Sequence, residues 1–187
     1  MPNTPDKETP LLIQIALREL EERESEREKL EEGYQKLDSY IDEIIDLACL
    51  VEVNPKKNIK YSSNSFEGAL FRGFELTGIL PNYEKMQANI KLSRMVSADL
   101  DKTPARVMVS MDLYPAGQIE PNEDQLLGSL DYALGYNLLI SHNKSHNKAD
   151  KMSVPTITPG DATFDWHLRN IQVVISTAKE ILQGLSL

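Results

Sequence analysis

Between Pro10 and Pro55 the chain carries no proline, and an apolar position recurs through the interval every seven residues. Ile13, Leu20, Arg27, Tyr34, Ile41 and Ala48 form one row, while Ala16, Arg23, Leu30, Leu37 and Ile44 fill the places three residues on. Only Arg23 and Arg27 interrupt this seam, which has the period of helices that pack along a shared stripe. Thr9-Pro10 has the form of a hydroxyl cap followed by proline at the first helical position. A helix over residues 10–53 is therefore predicted, about 60 Å long at about 1.5 Å per residue. A compact chain of this size has a radius of gyration near 16 Å, so such a helix must protrude or find a partner. Its middle, from Arg18 to Glu32, is almost wholly Glu, Arg and Lys, with pairs such as Glu19 and Arg23 at helical spacing. Its start, Leu11 to Leu17, is densely apolar, and the acidic residues around it disfavour an anionic membrane and leave core or subunit packing.

A second seam closes the sequence. Phe164, Leu168, Ile171, Ile175, Ala178, Leu182 and Leu185 alternate spacings of four and three, predicting a helix over residues 163–185. It matches the period of Leu30 to Ala48, so the two could zip together or each against its copy in another subunit. Between them we read helices over residues 66–77, with Phe66, Leu70 and Phe74 four apart and Gly78 as stop, and over residues 82–102, on Met86, Ile90 and Met95. A further helix is read from an Asn122–Gln125 capping box to Ile140. Residues 106–113 instead alternate, with Val107, Val109, Met111 and Leu113 on one side, as in a strand covered on one face. Residues 141–160 are polar, contain Pro155 and Pro159, and read as a long loop.

The fold expected is mainly α: a long protruding N-terminal helix and a helical bundle with a C-terminal heptad helix and a small β element. Residues 1–9 form a disordered lead, 10–53 a coiled-coil-like helix and 54–187 a mainly helical globular domain. For 187 residues, one domain with an appendage is the expectation from length.

Net charge of −9 argues against a chain that coats phosphate backbones, while 41% hydrophobic and 26% charged residues exclude collagen-like and wholly disordered classes. Cys49 has no partner for an internal disulfide and sits among Asp42, Glu43 and Asp46, a setting that opposes thiolate formation. With no secretory leader or membrane-length apolar run in view, the expected place is the cytoplasm and no membrane is implied.

Metal-ligand spacing occurs once, in His142, His146 and Asp150 at i, i+4 and i+8, where His167 or Asp165 could join from the last helix. Lys144, Lys148 and Lys151 crowd that segment with cations, so solvated loop is the plainer reading. Asp161, Asp165 and His167 around Trp166 could act as acid and base, but a helix cap and first-turn carboxylate explain them more simply. Lys56, Lys57 and Lys60 with Tyr61 form a small basic spot. From these features no cofactor, metal or catalytic set is assigned, and the reading leans away from an enzyme. The function expected is that of an adaptor, regulatory or structural subunit acting by self-association and partner binding, most simply as a homodimer. Leu30, Tyr34, Leu37, Ile41, Ile44, Leu168, Ile171, Ile175 and Leu182 are the candidate association residues. The alternatives are a metal-binding protein or metal-dependent hydrolase using His142, His146 and Asp150, and a small subunit of a nucleoprotein complex.

Overall fold

The computed structural model describes residues 10–54, 59–97, 105–117, 122–141 and 156–185. Helix α1 (Leu11–Val53) leads into seven strands: β1 (Ile59–Phe66), β2 (Ala69–Leu80), β3 (Tyr83–Ser97), β4 (Ala105–Pro115), β5 (Gly128–Gly135), β6 (Leu138–Ser141) and β7 (Thr156–Ile157). Helix α2 (Phe164–Gly184) follows. The strands form one antiparallel sheet in chain order, β1 to β7. Both helices cover the same face of it and meet along a polar line, where Lys179 pairs with Glu43 and Tyr40 Oη donates to Gln172 Oε1 at 3.3 Å.

The mainly α fold with a small β element is thus overturned by a seven-stranded sheet, and the predicted helical bundle does not form. Terms such as helical and coiled coil do not describe this body. The helices expected over 66–77, 82–102 and 122–140 are β1 to β3, β5 and β6. The spacing of four in Phe66, Leu70 and Phe74 suits a helix of period 3.6, but a hairpin turn separates Phe66 from Leu70, and Phe66 and Phe74 pack in different apolar clusters. In β3 the decisive signal is Ala88, Ile90 and Leu92, all fully buried and two apart. Residues 126–139 carry apolar side chains on more than one stripe because β5 is buried on both of its faces at Tyr132, Ala133 and Leu134.

Glycine in the left-handed region lets the first hairpin turn in two residues, Glu67 (φ 44°) and Gly68 (φ 85°), between paired Phe66 and Ala69. Pro81-Asn82, expected to open a helix, also connects paired Leu80 and Tyr83 in two residues, without a positive φ at either. Gly78 is no helix stop. It lies in β2 beneath α2, where an added Cβ would stand 2.7 Å from Ile181 Cγ2, so its bareness sets how closely α2 approaches the sheet. The Asn122–Gln125 box does form, with Asn122 N–H donating to Gln125 Oε1 at 3.4 Å, but it closes a single 3-10 turn.

The expected strand over 106–113 lies within β4, and the expected last helix matches α2. Core packing explains why both were legible. Val107, Val109 and Met111 meet Leu134, Tyr132 and Leu130 across β5 on the helix-covered face. In α2, Leu168, Ile171, Val174, Ile175, Ala178 and Ile181 point at that face and are buried. From α1 the cluster takes Leu37, Ile41, Ile44, Leu47, Ala48 and Val51. Arg94 Nη2 donates to Glu52 Oε2 at 2.7 Å and fixes the last turn of α1 to β3.

Candidate functional site

Three places on the described residues concentrate features that the core does not require. The first is the N-terminal half of α1. Every described residue from Pro10 to Glu32 is exposed except Gln14, whereas Gly33 is the first buried position, close against Pro159 and Phe164. About 22 residues, or about 33 Å of helix, therefore stand clear of the body. Backbone bonds from Ile13 and Gln14 N–H to the Pro10 carbonyl start the helix without a side-chain cap, and Pro10 itself takes the cap position. The arm is stiffened by Arg23 donating to Glu19 at 2.6 Å and Arg18 to Glu22 at 3.1 Å. At its end Leu11 is 72% exposed and Leu12 78%, with Ile13, Ile15, Leu17 and Leu20 also exposed. Apolar side chains at this density on a rigid arm form a contiguous greasy surface rather than scattered residues.

Of the nine candidate association residues, Leu37, Ile41, Ile44, Leu168, Ile171 and Ile175 lie in the chain's own core, between helices and sheet. Their stripe is accounted for without a second chain. Leu182 is partly buried against that cluster, Tyr34 is half-buried, and Leu30 is 37% exposed where the arm enters the body. The repeat identified the apolar side of α1 correctly. It did not separate the part that a sheet covers from the part left open.

The second place links α2 to β5. Tyr132, 1% exposed, accepts a hydrogen bond from Asn170 Nδ2 at 3.1 Å, and its hydroxyl is hydrogen-bonded to His167 Nδ1 at 3.0 Å. Burial holds the His167 pKa below its ordinary value and raises that of Tyr132, so the ring is neutral at pH 7. Trp166 stands edge-on to His167 at 4.7 Å and is 54% exposed. Asp161 does not cap α2. Its Oδ2 accepts from Thr158 N–H and Oγ1 at 2.6 and 3.1 Å in the preceding turn, while Asp165 occupies the first turn of α2 as expected. With its Nδ1 hydrogen-bonded to the buried Tyr132, His167 acts here as a strut of the fold.

Stability should record that strut. For His167 the unfolded value is near 6.5. A depressed folded value means that the unfolded chain binds the proton first, so stability is full above about pH 6.5 and declines as the pH falls below it. Replacing His167 by Gln should flatten the difference in melting temperature between pH 7.5 and pH 5.5 relative to the unchanged chain. Tyr132→Phe should cost about 1–2 kcal/mol at pH 7.5 in urea unfolding, because Asn170 and His167 both lose their partner.

The third place is the sheet face away from the helices. Lys60, Glu75, Lys91, Ser110 and Asp131 follow one another across five neighbouring strands. Glu75 accepts from Asn89 Nδ2 at 2.8 Å and lies 3.9 Å from Lys91 Nζ, and Ser129 Oγ donates to Asp112 at 2.5 Å. A polar hollow of about 300 Å³ is lined there by Asn64, Ser65, Lys91, Ser93, Ser110 and Asp131. Alternating charges of this kind stabilise strand register, each cross-strand pair contributing about 0.2–1 kcal/mol. The sequence reading missed this ladder because it had assigned β2 and β3 as helices.

His142, His146 and Asp150 lie outside the described residues, as do Lys56 and Lys57, while Lys60 and Tyr61 are on β1. Among the described residues no three His, Cys, Asp or Glu side chains gather to hold a metal ion. No described helix is long and apolar enough to cross a membrane. No known protein family, no characterised protein and no solved structure matches this chain.

Proposed function

We propose that the chain is an adaptor, regulatory or structural subunit that works by self-association and partner binding, with the projecting half of α1 as its association element. The observation that carries this reading is the run of exposed Leu11, Leu12, Ile13, Ile15, Leu17 and Leu20 on an arm that the body leaves uncovered. The remainder of the same helix is spent on the core, so the arm is held at a fixed angle by Leu37, Ile41, Ile44 and Ala48 and presents its surface without cost in ordering.

Light scattering on dilute protein tests the reading. The unchanged chain should have twice the mass expected for one chain, and the pair Ile13→Glu with Leu20→Glu should have the mass of one. Each buried Leu or Ile is worth roughly 1.5–3 kcal/mol, so four lost in a dimer remove at least about 6 kcal/mol, or more than four decades in Kd. Both positions lie outside the body, so the variant should still unfold in one cooperative transition, lowered by no more than the mass-action stabilisation that the lost pairing had supplied. A single-chain mass for the unchanged protein at every concentration would end the self-association reading.

A further inference from the structure

We infer that two copies of this chain pair through their projecting arms in antiparallel fashion, about a two-fold axis that crosses α1 between Glu21 and Glu22. This rests on the association reading above and specifies its partner as a second copy. Three observations lead to it.

The first is where the body sits. In the buried half of α1, Leu37, Ile41, Ile44 and Ala48 face the sheet, and the free seam of Ile13, Ala16, Leu20, Arg23, Arg27 and Leu30 continues that stripe. A seven-residue spacing drifts about 20° per repeat on a straight helix, so the free seam stays within about a quarter-turn of the sheet side. From Gly33 onward each helix therefore carries its own sheet where a parallel partner would have to continue. Two parallel copies would place both bodies in one space. In an antiparallel pair, α1 of the partner starts where the body begins.

The second is length. The exposed arm runs from Leu11 to Glu32, and an antiparallel overlap centred between Glu21 and Glu22 sets Leu11 of one copy opposite Glu32 of the other. The overlap uses the whole arm. The apolar tip then reaches Leu30, which lies at the entrance to the body beside Gly160.

The third is the chemistry along the seam. In this register Ile13 meets Leu30 of the other copy, Ala16 meets Arg27, and Leu20 meets Arg23, each pair occurring twice. A parallel alignment would stack Arg23 on Arg23 and Arg27 on Arg27, like charges at the centre of the contact. In the antiparallel one, each arginine stem lies along an apolar or small residue, and its guanidinium emerges beside the acidic margin formed by Glu19, Glu24 and Glu26. Arg23 is already bonded to Glu19 within its own chain, whereas Arg27 has no carboxylate partner among the described residues and would gain one across the pair.

The test is a set of electron-spin distance measurements on full-length chains with Cys49→Ser and one new labelled cysteine each, at Arg18, Glu22, Ser25 or Glu32, alongside a mass for every labelled protein. The axial separation should grow by about 3 Å for each residue from the midpoint: smallest for Glu22, equal at about 10 Å for Arg18 and Ser25, and about 31 Å for Glu32. Equal distances at all four positions in a protein of two-chain mass would mean a parallel pair and overturn this inference while leaving association standing. Unequal values for Arg18 and Ser25 would move the axis and overturn the register. A single-chain mass throughout would overturn the association reading, and this one with it.

Discussion

Gly73→Ala is expected to remove much of the stability of the fold, although it adds a single methyl group to a strand. Gly73 in β2 is paired with Ser93 in β3. A Cβ there would stand 1.9 Å from the Leu92 carbonyl oxygen, 2.5 Å from Ser93 Cα and 2.7 Å from the Leu92 carbonyl carbon. All three are backbone atoms, so no side chain can rotate away, and relief requires parting the two strands by about an ångström. These strands sit at the centre of the molecule: Phe71 and Phe74 flank Gly73, Leu92 flanks Ser93, and each of these apolar side chains is fully buried. Parting them would break the ladder bonds and open voids on both faces together, a loss of about 4 kcal/mol or more and much of a domain's stability. The measurement is far-ultraviolet circular dichroism with a urea titration. Gly78→Ala is the comparison, since its clash is with the Ile181 side chain, which can change rotamer, and that variant should stay folded with a cost of about 1–2 kcal/mol.

The same contrast explains how much of this molecule could be read from its residues. The two helices were legible because each runs for many turns with one apolar side, and β4 because Val107, Val109, Met111 and Leu113 alternate without interruption. The rest of the sheet was hidden by local ambiguity. Phe66, Leu70 and Phe74 have helical spacing although a turn parts the first from the other two, and that Glu67-Gly68 turn lacks the Asn-Gly or Asp-Gly form that marks a tight hairpin most clearly. β5 loses its alternation because both its faces are buried. Nothing local in the sequence sets Gly73 apart, and only its distance to the β3 backbone reveals that the position admits no side chain. For the candidate site the limit was different. A periodic apolar stripe states that something covers it, and the identity of the cover is a tertiary fact. Sheet takes the stripe from Leu37 to Val51, and the described residues leave it open from Leu11 to Leu20. The Tyr132, His167 and Asn170 cluster was out of reach for a related reason, since Tyr132 and Asn170 are 38 residues apart and meet only when α2 folds back over β5.

Leu37→Glu combined with Ile41→Glu should leave the protein unfolded and should not merely separate two copies. The two positions are 1% and 0% exposed, one turn apart on α1 and pressed against the sheet. A carboxylate at either would be taken from water into an apolar cluster, and a buried charge without a partner costs several kcal/mol even after it takes up a proton. Removing the two aliphatic side chains costs about 2–5 kcal/mol each on top of that. The sum exceeds the 5–15 kcal/mol by which an ordinary domain is stable, or comes close to it. The observable is loss of the cooperative melting transition, with aggregation or a random-coil spectrum at 25 °C. Ile13→Glu with Leu20→Glu makes the same chemical change on the same helix, 24 and 21 residues earlier. That pair should keep a cooperative melting transition, because Ile13 and Leu20 are 49% and 55% exposed on the projecting half of the helix. Similar losses in both variants would mean that the arm packs on the body in solution, against the arrangement described here. A folded variant with charges at positions 37 and 41 would mean that the sheet does not lie over that face of α1.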